Sequence, residues 1–133
     1  MLVAMTLRCV IVDDSPDVLR SAAAVLEGEG IAVVGVAETG AAGLSLVEEL
    51  APDVILVDID LGAESGFELV RRLAERGRDR ASRTILTSTH DEADFADLIA
   101  ASPAIGFLAK SSLSGAAIGR LLEAAGGDGA IER

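Results

Sequence analysis

Asp13-Asp14, Asp58, Ser88 and Lys110 are the residues of this chain whose types and positions could do chemistry. Each follows a short apolar run: Cys9-Val10-Ile11-Val12 before the acidic pair, and Val54-Ile55-Leu56-Val57 before Asp58. Thr84 to Thr87 leads to Ser88, and Ile105 to Ala109 leads to Lys110. A continuous, mostly β-branched run of this length reads as a strand buried on both faces. In open α/β sheets, ligands bind beyond the carboxyl ends of such strands. Two adjacent parallel strands would therefore deliver Asp13, Asp14 and Asp58 into one crevice. Carboxylates that close repel one another unless a cation neutralises them or some stay protonated. Hard oxygen donors without His or Cys among them favour Mg²⁺ or a similar ion. A lone strand-end Asp is as often a helix cap or turn residue; two acid sites in one small chain weaken that plainer reading.

Ser88 offers a hydroxyl that could bond an oxygen of a group attached to Asp58. Lys110 is the only lysine beside ten arginines, and a lone compact ammonium suits a site that needs a point charge. His90, the only histidine, lies in the loop after Ser88, either as a bystander or as a donor at the site edge.

The elements that must position these groups alternate. Ser15-Pro16-Asp17 starts a helix, with Ser as cap, Pro at the first position and an acid in the first turn. Val18, Leu19, Ala22, Val25 and Leu26 follow at helical spacing, up to Gly28 or Gly30. Ala32 to Ala37 is a second strand. Thr39 opens a second helix, with Leu44, Val47 and Leu50 inward, which Pro52 stops. Asp60 to Ala63 reads as a loop, and Ser65 with Glu68 as a capping box for a third helix carrying Phe67, Val70, Leu73 and Ala74. Arg71 to Arg83 reads as a solvated helix end and connector. Asp91 or Glu92 begins a fourth helix with Phe95, Leu98 and Ile99 inward, and Ser114 a last one with Ile118, Leu121 and Leu122. Strict β-α alternation through five rounds predicts an α/β, doubly wound parallel sheet of five strands with helices on both faces.

At 133 residues the chain is long enough for one domain with its own core. Half the residues are hydrophobic, but with no Trp or Tyr and three Phe that core must be aliphatic. A net charge of −11 argues against direct nucleic-acid binding, which needs a basic face. The single Cys9 excludes an intrachain disulfide and reads as a small buried hydrophobe. The apolar start lacks a basic flank, so neither a signal peptide nor a membrane span is expected, and the cytoplasm is the default. Residues 1–6 read as an extension, 7–125 as the domain, and 126–133 as a flexible Gly-rich tail.

Taken in order with their strand contexts, Asp13-Asp14, Asp58, Ser88 and Lys110 resemble the receiver domain of two-component response regulators, over about residues 7 to 125. That resemblance implies a flavodoxin-like strand order 2-1-3-4-5. It implies that a sensor histidine kinase, or a phosphotransfer protein, donates a phosphoryl group to Asp58. Asp13, Asp14, Asp58 and the backbone carbonyl of Asp60 would hold Mg²⁺, with Lys110 and Ser88 on the phosphoryl oxygens. Ser88 and Phe107 match the positions that rearrange on phosphorylation, altering the face of helix four, strand five and helix five for a downstream protein effector. That face is also the family's common homodimer surface; here Asp91, Glu92, Asp94 and Asp97 beside Arg120 give it an acidic balance that would weaken self-association unless those charges are paired.

The chain departs from the family at several positions. Ser111 stands where a proline in a cis peptide is usual, and Phe107 replaces the commoner tyrosine, which removes a phenolic hydroxyl from the switch. Thr89 stands where Ala or Gly is frequent, and its bulk would narrow access to Asp58. Asp60 and His90 fall at variable positions that flank the attacking water. Without an output domain in view, a receiver acting alone through protein contacts is the preferred expectation, and a phosphoacceptor rather than an enzyme with its own substrate.

Two other classes compete. Asp58-Ile59-Asp60 resembles the Asp-x-Asp of haloacid-dehalogenase-type phosphohydrolases, with Asp58 as nucleophile and Asp60 as general acid. That motif normally sits on a first strand, whereas an acid-bearing strand precedes it here, and there is no room for a cap domain. A pseudo-receiver used only for binding usually lacks the acids or the lysine, and all are present.

Overall fold

The four apolar runs that end in polar groups are strands of one sheet, and Ala32–Ala37 is a fifth at its edge. The computed structural model describes residues 6–77 and 83–131, with side chains as far as residue 125. The chain runs β1 (Arg8–Val12), α1 (Pro16–Gly28), β2 (Ala32–Ala37), α2 (Gly40–Leu50) and β3 (Val54–Asp58). A short antiparallel pair follows, β4 (Asp60–Leu61) with β5 (Glu64–Ser65), and then α3 (Gly66–Arg76) and β6 (Thr84–Ser88). A 3-10 turn over Glu92–Phe95 precedes α4 (Ala96–Ala101) and β7 (Gly106–Ala109); a second, over Lys110–Ser112, precedes α5 (Gly115–Ile131).

The sheet is parallel throughout, in the order β2-β1-β3-β6-β7. With the small β4–β5 pair set apart, this is the expected doubly wound 2-1-3-4-5 arrangement. Strand order reverses between β1 and β3, which opens the crevice where such folds bind ligands. The register sets the polar groups level: Val12 pairs with Val57, Asp58 with Thr87, and Ser88 with Ala109.

Alternate strand residues face opposite sides, so the sheet carries two cores. Val10, Val12, Ile55, Val57, Leu86 and Phe107 pack with α2 and α3 through Leu44, Val47, Leu69, Val70 and Leu73. Cys9, Ile11, Val54, Leu56 and Ile85 pack with α1 and α5 through Leu19, Leu26 and Ile118. All five residues of β3 are buried, as its continuous apolar run requires. Each buried Val, Leu or Ile contributes roughly 1.5–3 kcal/mol of transfer free energy.

Caps fix where the helices begin. Ser15 Oγ accepts from Val18 N (3.3 Å), Thr39 Oγ1 from Ala42 N (3.1 Å), and Ser114 Oγ from Ala117 N (3.0 Å). The carbonyls at the end of α2 receive the Arg8 guanidinium, 2.8 Å from Leu50 O and 3.1 Å from Ala51 O, which also complements the helix dipole.

Several expectations are corrected. Asp60 to Ala63 is the start of a hairpin, not an open loop. Ser65 caps α3 through Phe67 N (3.1 Å), but Glu68 pairs with Arg71 and Arg72 instead of completing a capping box. The fourth helix is six residues long behind its 3-10 turn, too short to present a full inward face. Phe95 and Ile99 pack partly against the core, while Leu98 is 55% exposed. Val25 of α1 is exposed as well. The last helix continues through Ile131, past the Gly126 where a tail is expected, because a glycine lowers helix propensity without forbidding an already nucleated helix. Most of the predicted N-terminal extension and part of the Arg-rich connector, residues 1–5 and 78–82, lie outside the described residues.

Candidate functional site

Asp13 leaves β1 with its backbone N–H donated to Ala37 O (3.0 Å), and its Oδ1 accepts from Ser15 N (3.0 Å). This side-chain turn holds the carboxylate at the mouth of the crevice and starts α1. Asp58 ends β3 with Oδ1 accepting from Asp60 N (3.2 Å). The next residue is tied to β6 through Ile59 N to Thr87 O (2.9 Å). Both acids are buried, at 2% and 6% exposure, while Asp14 is exposed. Carboxylate oxygens of Asp13, Asp14 and Asp58 lie within 4.8 Å of one another. Three hard donors at that spacing, one open to solvent, fit a divalent cation.

Lys110 reaches this cluster from the turn after β7. Its Nζ is 2.6 Å from Asp13 Oδ2 and 3.2 Å from Asp58 Oδ2. Burial pushes the Asp58 carboxyl above the ordinary aspartate value and the Asp13 charge adds to this; Lys110 and the Asp60 N–H oppose the rise without cancelling it. Burial alone would lower the Lys110 pKa, but the hydrogen bond and charge of Asp13, with those of Asp58, raise it above the ordinary lysine value. The ammonium is therefore firmly charged, and one lysine cannot balance three carboxylates.

Ser88 is buried beside this cluster at the end of β6, with its Oγ accepting from His90 N (2.9 Å) and 3.4 Å from His90 Nδ1. Phe107 lies in the core beneath the sheet end, on the α2–α3 side. Thr89 and His90 are both exposed. Thr89 lines an open groove beside Lys110 with Val18, Val25 and Leu113, and the His90 ring stands edge-on to Phe95 at 5.9 Å. The Asp60 side chain is engaged within the hairpin turn, where its Oδ1 accepts from Gly62 N (3.2 Å). The Lys110–Ser111 peptide is trans.

Two contributors escaped sequence reasoning. Gly66, the first residue of α3, donates its N–H to Ile59 O (2.7 Å). A Cβ there would lie 2.1 Å from Asp58 O, so only glycine lets α3 approach the Asp58 backbone. A glycine directly after a helix cap, where a good helix former is usual, was the available signal. Gly62, at φ +73°, turns the hairpin so that its own Cβ position lies 3.2 Å from Asp14 Oδ2.

A family model, "Response regulator receiver domain", matches residues 9–121. Protein PilH of Pseudomonas aeruginosa is 36% identical over 85 residues, covering 64% of this chain and 69% of PilH. The transcriptional regulatory protein LiaR of Bacillus subtilis is 34% identical over 107 residues, covering 80% of this chain but 50% of LiaR. The signal receiver domain of the putative response regulator NarL from Mycobacterium tuberculosis superposes with a TM-score of 0.75 at 30% identity, covering 93% of this chain and 99% of that one. No helix among the described residues is long and apolar enough to cross a membrane. The sheet order, the strand-end acids facing a lysine, and a sequence match over most of the chain agree: the protein belongs to the response regulator receiver domain family.

Proposed function

We propose that Asp58 is the phosphoacceptor of a signalling module, taking a phosphoryl group from a phosphohistidine of a sensor kinase or phosphotransfer protein. The observation that carries this is Lys110 Nζ held between Asp13 and Asp58 at the edge of a three-carboxylate cluster. An Asp58 carboxylate oxygen attacks phosphorus, the P–N bond breaks, and its electron pair leaves with the imidazole nitrogen. Such transfers ask mainly for positioning and for neutralisation of the equatorial oxygens. Asp13, Asp14, Asp58 and the Asp60 carbonyl are assigned to Mg²⁺, which when bound neutralises charge on the carboxylates and phosphoryl oxygens. Lys110, already within reach of Asp58, takes another oxygen. Ser88, whose Oγ accepts from His90 N, keeps a hydroxyl proton with which to take a third, and Phe107 follows it. The exposed surface of α4, β7 and α5 is assigned to the downstream effector; homodimer contacts there would have to pair the acidic charge of Asp91, Glu92, Asp94 and Asp97, the first three of which lie in the turn before α4.

A haloacid-dehalogenase-type phosphohydrolase would need Asp60 as general acid. Its carboxylate is instead engaged with Gly62 N in the hairpin turn, which disfavours that reading.

The test is intact mass after incubation with acetyl phosphate and Mg²⁺, beside Asp58→Ala. A single added phosphoryl group, absent in the variant and without Mg²⁺, is expected. Phosphate release from esters without an adduct would overturn the proposal, as would labelling that persists in Asp58→Ala. Acyl-phosphate lifetimes in Thr89→Ala and wild type test whether Thr89 shields the adduct.

A further inference from the structure

The antiparallel pair after Asp58 is anchored at its far end by a contact that no feature of the phosphoacceptor chemistry requires. Glu64, on β5, extends its carboxylate to the beginning of α2, where Oε1 accepts from Gly40 N at 2.7 Å. The first N–H groups of a helix have no partner within it. Thr39 Oγ1 takes that of Ala42, leaving Gly40 N for an outside acceptor, and a carboxylate at this end also suits the helix dipole. Gly40 is buried, and a Cβ there would lie 2.9 Å from Glu64 Oε1, so the contact depends on the missing side chain.

The far side of the same pair forms the wall of the acid site. Asp60 pairs with Ser65 and Leu61 with Glu64, and Leu61 is buried in the core. Asp60 N holds Asp58 Oδ1, and Gly62 closes against Asp14. A hairpin of two residues per strand has little stability of its own. Its placement rests on Leu61 beneath, Gly66 at one end and Glu64 at the other.

We propose that Glu64 is a positioning residue. By clamping the β4–β5 hairpin to the start of α2, it fixes the Asp60–Gly62 wall against Asp14 and Asp58 and so sets divalent-cation affinity, without touching the cation. The inference rests on the proposed cation role of the acids, but the clamp itself can be read without it.

The experiment is calorimetric titration of the full chain with MgCl₂ in wild type, Glu64→Gln and Glu64→Ala, beside amide hydrogen exchange by NMR at Gly40 and Asp60. Glu64→Ala is expected to weaken Mg²⁺ binding about fivefold, the equivalent of one hydrogen bond, and to speed exchange at both amides. Glu64→Gln keeps an acceptor oxygen and is expected to restore affinity to within about twofold, which a general loss of stability would not do. Unchanged Mg²⁺ affinity in Glu64→Ala overturns the inference. Equal losses in Gln and Ala also overturn it, since they would make the charge of Glu64, not its hydrogen bond, responsible. If wild type binds no Mg²⁺, the cation role of the acids fails; fast Gly40 exchange in wild type would refute the clamp by itself.

Discussion

Around Asp58 the chain is fixed from every side, whereas around Leu98 almost nothing holds it. All five residues of β3 are buried, as are all five of β6, and the first turn of α3 closes on the carbonyl of Asp58. Four residues after Ser88, the 3-10 turn and α4 contain no buried residue, and the six-residue helix has no side-chain cap. Apolar contact there comes from Phe95, which meets Phe67 at 6.4 Å, and from Ile99. The difference would serve the proposed switch: a phosphoryl-transfer site must hold its groups within fractions of an ångström, while a segment that reports a small change must cost little to rearrange. Ser88 sits at the boundary, buried on the rigid strand with its hydroxyl turned to the exposed His90.

The sharpest way to break this contrast is Gly66→Ala. Its Cβ would fall 2.1 Å from Asp58 O, a backbone atom of a strand buried on both faces, so neither partner can give. A loss of about 3 kcal/mol or more in urea denaturation is expected, with collapse of metal affinity. A loss below about 1 kcal/mol would mean that α3 can slide and that the acid end is less constrained than its burial implies.

Much of this rigid half was legible in the chain. The run Val54 to Val57 read as a strand buried on both faces, the β-α alternation made its sheet parallel, and a carboxylate at its end then fell in the crevice. Ser15 and Thr39 marked helix starts because their hydroxyls answer a local need, and Pro16 because its fixed φ suits the first helical position. What escaped notice depends on distances between segments far apart in sequence. The Glu64–Gly40 contact spans 24 residues, and Gly66 matters only because α3 crosses so near Asp58. Helical spacing over-read the α4 region: Phe95, Leu98 and Ile99 fit a helix face, but a six-residue helix closed by Ser102-Pro103 cannot turn all three inward. Spacing reports which residues share a face, not whether a core awaits them.

A second, smaller effect tests whether the acids strain the rigid half. The Asp58 carboxyl is raised above its ordinary value, so the folded state holds that proton more tightly than the unfolded chain does. Its contribution to stability is then complete below the unfolded aspartate value and is lost as pH rises through the folded one. At neutral pH ionised Asp58 destabilises the fold, and Asp58→Asn, which keeps the shape and removes the charge, should stabilise it. A gain of about 1 kcal/mol, or roughly 4 °C in Tm, is expected at pH 7 without divalent cations. The gain should shrink as pH falls through the carboxylate range. Saturating Mg²⁺ should narrow it too, because a ligand that binds the folded wild type stabilises that protein selectively. A neutral-pH loss of stability in Asp58→Asn would instead mean that the ion pair with Lys110 outweighs burial and the Asp13 charge.

The smallest expected effect lies on the other side of the comparison. Leu98 is 55% exposed, so Leu98→Ala removes little buried area, and alanine is the better helix former at a surface position. The two tendencies oppose each other, and the net change in urea denaturation should stay within about 0.5 kcal/mol. Amide exchange in α4 should remain fast relative to β3 in both proteins, since opening of a segment without buried side chains does not wait for global unfolding. A destabilisation above about 1 kcal/mol would show that α4 packs through Leu98 and that the chain spends much of its time with this helix turned inward. The region would then be a second well-packed state rather than a loose edge, and the contrast with the acid end would describe one conformation of a two-state segment.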